Sequence, residues 1–102
     1  MTAEWTELIS RLEGWSGRPV LVTVAFLPAE EPMVAMSGVL GAGVATETRD
    51  RWGDPLAKAV FPVGDAVLTL DSHSFVDWHT DDHGLGVQLR DEVMVRVLIG
   101  PR

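Results

Sequence analysis

A mainly β chain led by one short helix is what this sequence predicts, and three observations carry that expectation. Apolar residues recur with a period of 3.6 as far as Leu12 and with a period of 2 from Pro19 to Ile99. Glycine and proline clusters divide the second region into short runs. One of those runs holds Gly38, Gly41 and Gly43, which permit the strong bend that curls a sheet into a small barrel. The expected architecture is a helix over 3–13 followed by five to six strands. These would form a strongly bent antiparallel sheet, a small barrel over 18–99, all within a single domain of residues 1–102.

The helix is marked at both ends. Thr2 is placed to cap it, and Trp5, Leu8, Ile9 and Leu12 share one face at i, i+3, i+4, i+7 spacing. Glu4 and Glu7 suit the positive end of the dipole, and Arg11 lies four residues after Glu7. Gly14 is expected just beyond the last turn, with Trp15 folding back onto Ile9. Three turns of helix do not hold in water alone, so this one must dock on the strands.

From Pro19 to Leu27 one face carries Val20, Val22, Val24 and Phe26. The other carries Leu21, Thr23, Ala25 and Leu27, the pattern of a strand covered on both sides. Residues 28–32 read as a polar turn and 33–44 as the bent second strand. Residues 45–58 read as a polar surface loop with Trp52 at its centre. Residues 59–63 and 66–71 form a strand pair, or one strand bulged at Pro62 and Gly64-Asp65. Residues 74–79 and 85–90 flank a hairpin turn with Gly84 in a left-handed conformation, and 93–99 is the last strand.

Composition narrows the function. The net charge is −7, a field that repels phosphate backbones and argues against a general nucleic-acid binder. Without cysteine there is no disulfide framework, thiolate nucleophile or cysteine-ligated metal. No apolar run approaches the length of a membrane span, and the N-terminus lacks the basic start of a secretory signal, so a cytoplasmic protein is expected. A mean hydropathy of +0.14 is high for so small a domain and points to apolar surface covered by a second copy or another partner.

The order of parts resembles the Sm-like (LSm) family and, more broadly, small SH3-like barrels. The matching pieces are the leading helix, Pro19-Val20-x-Val22-x-Val24, Gly38-x-Leu40 on the bent strand, and Leu89-Arg90-Asp91-x-x-Met94-x-x-Val97 at the end. They span roughly residues 5–99. The resemblance implies homo-oligomers joined through edge strands and single-stranded RNA held by the assembly. Of the family's Arg-Gly before the last strand only Arg90 is matched, since Asp91 follows it, and the chain has no asparagine to cradle a base.

Chemistry-bearing side chains concentrate in 71–83, which holds all three histidines. Strand alternation would bring His73, Asp77 and His79 to one side, with His83 following in the turn, as raw material for a divalent-metal site. The opposing expectation is a solvated hairpin face backed by Val76 and Trp78 in the core. Neither a nucleophile elbow nor a phosphate-binding loop is present, so no catalytic set is assigned. Trp52 beside Arg51 reads either as a lid over the barrel's open end or, with Arg90, as a partner-binding residue. Trp5, Trp15, Met33, Met36 and Met94 are expected in the core. The leading expectation is a non-enzymatic interaction module that self-associates, with a protein partner as a further occupant. A metal-binding protein or metal-dependent enzyme using 71–83, and an Sm-like RNA binder, are the alternatives.

Overall fold

The computed structural model describes residues 3–27 and 32–100, and within them one helix precedes eight strands. The helix α1 spans Ala3–Gly14. Trp5, Leu8, Ile9 and Leu12 are all buried, as their spacing requires, and Trp5 meets Phe75 edge-on with ring centroids 5.8 Å apart. Burying each such side chain stabilises the fold by about 1.5–3 kcal/mol, which is what holds so short a helix in place. The expected cap at Thr2 lies outside the described residues. The helix runs through Gly14 rather than stopping before it, and the left-handed residue that turns the chain is Gly17, at φ +88°.

The strands are β1 (Pro19–Phe26), β2 (Pro32–Val39), β3 (Val44–Arg49), β4 (Pro55–Val63), β5 (Ala66–Asp71), β6 (Phe75–Thr80), β7 (Gly84–Leu89) and β8 (Val93–Ile99). All their pairings are antiparallel. They form a five-stranded sheet in the order β2-β1-β8-β7-β6 and a three-stranded sheet in the order β3-β4-β5. Eight strands replace the five to six expected: residues 59–63 and 66–71 fall on β4 and β5 as a strand pair rather than one bulged strand, and the remaining difference arises at the glycine-rich run and the segment after it. The glycine-rich strand is interrupted at 41–43, which makes it β2 and β3. The segment 45–58 is no loop: threonines alternate along β3, and only Asp50–Asp54 turn before β4 begins. Charge and polarity there mark an exposed edge strand, β3 being exposed along its whole length. The turn expected over 28–32 falls mostly outside the described residues.

Leu40 is the joint between the sheets. Its N–H donates to the Arg18 carbonyl at 2.9 Å and its carbonyl accepts from Gly17, continuing the β1–β2 ladder, while it also bridges to Val63 of β4. The next residue, Gly41, donates to the Pro62 carbonyl at 2.7 Å. Residues 32–49 therefore run as one bent path, pairing first with β1 and then with β4. The bend needs glycine at 43, because a Cβ there would collide with the ring of Phe61, which is fully buried.

The core lies between α1 and the inner faces of both sheets. It includes Val20 and Val22 of β1, Leu40, Phe61 and Val63, Leu68 and Leu70 of β5, Leu85 and Val87 of β7, and Val95 and Val97 of β8. No buried polar side chain lies among the described residues that form it. Three expected core members are elsewhere. Met94 pairs with Ala25 on the face of β8 that turns away from the core. Met33 sits at the register shift opposite Val24–Ala25 and is exposed, and Val76 is displaced by a bulge between Phe75 and Asp77. Trp15, Met36 and Trp78 do pack against the core.

Candidate interaction site

β1 was expected to be covered on both faces; the structure covers one. Alternation along the paired strands turns Leu21, Thr23 and Ala25 of β1 away from the core, with Met94, Arg96 and Leu98 of β8 beside them. Together with Leu27, Pro32 and His79 these residues line a shallow concavity of about 510 Å³ on the outer face of the five-stranded sheet. Leu21 is 39% exposed and Val39, on the same face of β2, is 55% exposed. No element among the described residues lies over this face.

Its floor is low where β7 crosses it. Gly86 pairs with His79 on one side and Arg96 on the other, and a Cβ at Gly86 would meet the His79 Cε1 at 2.6 Å. The imidazole lies across the strand in the space that glycine leaves. Asp77 neighbours His79 on the same face, and its carboxylate accepts from the Trp78 N–H at 2.8 Å. Arg96 reaches the Asp81 carboxylate at 3.3 Å. Asp81 also organises the β6–β7 turn by accepting from the N–H groups of His83 at 2.7 Å and Gly84 at 3.0 Å. The His83 N–H, above all, holds the Asp81 carboxyl below its ordinary range; desolvation opposes this, while Gly84 and Arg96 reinforce it. Gly84 belongs to β7 and takes no left-handed conformation, contrary to expectation; the Asp81 side chain shapes the turn instead.

The four residues expected to share a metal are not gathered. Asp77 and His79 keep their common face. His73 lies before the bulge, in the β5–β6 turn, and His83 lies in the turn beyond β6. No group of three or more metal-ligating side chains forms among the described residues. The turn and the bulge defeat a face assignment made by counting in twos from His73.

His73 instead meets the β3–β4 hairpin, its Nε2 lying 3.5 Å from the Asp50 carboxylate. The other carboxylate oxygen of Asp50 accepts from the Trp52 N–H at 2.8 Å and the Asp54 N–H at 3.0 Å, and Arg49 donates to the Gly53 carbonyl at 2.6 Å. Gly53 sits at φ +83°, the left-handed conformation this turn needs. On this braced tip Trp52 stands 78% exposed, with the Arg51 guanidinium 5.7 Å from its ring centre. It is not a lid over the core. The sequence singled out Trp52 and His73 for different roles; Asp50, which joins them, was missed because a turn-forming Asp looks like any other polar loop residue.

Arg90 is exposed in the β7–β8 turn, and its N–H donates to the Ser74 carbonyl at 2.8 Å. Asp91 and Glu92 follow it with φ of +63° and +62°, two acids at the end where the resemblance placed an RNA contact. No helix among the described residues is long and apolar enough to cross a membrane. Compared with known protein families, with characterised proteins and with solved structures, the chain matches none.

Proposed function

We propose that this chain is a non-enzymatic interaction module that assembles with further copies of itself. One observation carries the reading: the outer face of β2-β1-β8, with Leu21, Val39, Met94 and Leu98, is apolar and uncovered. A monomer of this size gains nothing from displaying such a face to water, and contiguous apolar patches of this kind mark interaction surfaces. The high mean hydropathy of the chain agrees with that reading.

Kinship with small Sm-like or SH3-like barrels is part of the same proposal. It is supported by the single bent path over 32–49 that serves both sheets, behind a leading helix.

Size-exclusion chromatography with light scattering at micromolar concentration tests the assembly. The expected result is a mass above 11.1 kDa that rises with concentration. Leu21→Glu, which places a charge on the uncovered face without touching the core, is expected to return the chain to monomer. A wild-type chain that stays monomeric throughout the range would reject the proposal.

A further inference from the structure

The open face of β2-β1-β8 has the relief of a surface that fits its own copy, and this inference deepens the self-assembly proposed above, on which it rests. Directly paired residues share a face, so Leu21 stands beside Leu98 of β8, and Ala25 beside Met94. Leu21 and Leu98 wall one end of the concavity of about 510 Å³, and Leu27 and Pro32 wall the other. Between them the floor along β1 is made of short side chains, Thr23 and then Ala25, which is only 8% exposed. A knob at Leu21 and a hollow at Ala25 therefore lie at equal distances on either side of Thr23. A half-turn about an axis that crosses the strands level with Thr23 lays Leu21 of each copy over Ala25 of the other. Stacked sheets sit about 10 Å apart, and large side chains opposite small ones let two such faces interdigitate.

The placement of charge favours the same face as the occupant. None of the fifteen acids lies on β1, β2 or β8. The one charged side chain of these strands, Arg96, stands level with Thr23 and brings its own counter-ion, the Asp81 carboxylate at 3.3 Å. The other surfaces carry charge into any contact. Glu4, Glu7 and Glu13 are exposed along α1, Asp50 and Asp54 flank Trp52, and Lys58 pairs with Asp71 across the three-stranded sheet. Setting any of these over Leu21, Ala25 and Leu98 strips water from charged groups above an apolar floor, a cost that the matched faces avoid.

We infer that two copies pack outer face on outer face across a two-fold axis at Thr23, with Leu21 of each seated over Ala25 of the other. β6, which carries Asp77 and His79, stays at the margin of the sheet opposite β2. A patch that meets itself is used up in the pair, so the contact closes a dimer and no ring or filament grows from it.

Sedimentation equilibrium of size-swapped variants tests the register. The wild type is expected to reach twice 11.1 kDa and stop there. Leu21→Ala removes the knob and Ala25→Leu fills the hollow; each alone is expected to weaken the dimer about thirtyfold. The chain carrying both substitutions exchanges knob for hollow at each contact and is expected to recover most of the affinity. Melting curves at concentrations where every variant is monomeric separate a lost contact from a lost fold. Thr23→Lys, which sets two like charges against each other on the axis, is expected to abolish the dimer without filling the hollow. A wild-type mass that climbs beyond the dimer, or a double variant that melts like wild type yet associates as weakly as either single one, would overturn the two-fold packing while leaving self-assembly standing. A wild type that stays monomeric would remove both and leave the face to a different protein.

Discussion

At the scale of single residues, two turns concentrate the unusual conformations and charges. Asp91 and Glu92 are consecutive left-handed residues with side chains, a conformation that costs roughly 1–2 kcal/mol per residue outside glycine. Glu92→Gly is therefore expected to raise stability by about 1 kcal/mol, measured by urea unfolding with an unchanged slope. Asp81 gives a second residue-level test. Its folded-state pKa lies below the ordinary value, so the ionised form favours the fold. That contribution is complete above the ordinary carboxylate pKa and is lost as the pH falls through the lowered value. The melting-temperature gap between wild type and Asp81→Asn, which keeps an acceptor for the turn, is expected to narrow below about pH 4. Neither feature was legible in the sequence. Arg90-Asp91-Glu92 reads as an ordinary polar turn, and nothing in residue order says which N–H groups will converge on one carboxylate.

At the scale of elements, amphipathic periodicity served wherever one face met the core. The helix face of Trp5, Leu8, Ile9 and Leu12 and the inner face of Val93, Val95, Val97 and Ile99 were readable because burial on one side writes a regular spacing. β3 left no such trace. All its residues are exposed, so Val44–Arg49 carries the alternation of a two-sided edge and reads as loop. The glycine-rich bend was legible as a bend, but its cause lies in Phe61, eighteen positions later. Gly43→Ala forces a Cβ into that buried ring, and a cost of about 1–3 kcal/mol is expected from thermal unfolding. A similar change at Gly53, where nothing approaches a Cβ, would strain only its φ of +83°. Comparing the two variants separates crowding from backbone strain.

At the scale of the whole molecule, net charge and apolar surface oppose each other. Copies carrying −7 repel, while in the proposed assembly the uncovered face of β2-β1-β8 draws them together. With a pI near 4.7, acidification from pH 7 to about 5.5 reduces the repulsion. Assembly is expected to strengthen over that range, read as a rising weight-average mass by light scattering. Leu21→Glu should show no such rise, which distinguishes a specific contact from general loss of solubility near the pI.

The sequence by itself determined the class of fold, the helix, the inner faces of the strands and the presence of more apolar surface than one small domain hides. Those properties are written locally, because a residue that faces the core repeats at the period of its own element. Only the tertiary structure decided that the second face of β1 lies open, that Asp50 joins His73 to the Trp52 turn, and that His73 and His83 part from Asp77 and His79. Each of these depends on which distant backbone arrives next to which. A bulge of one residue at Val76 or a bend at Leu40 moves side chains that no spacing rule connects.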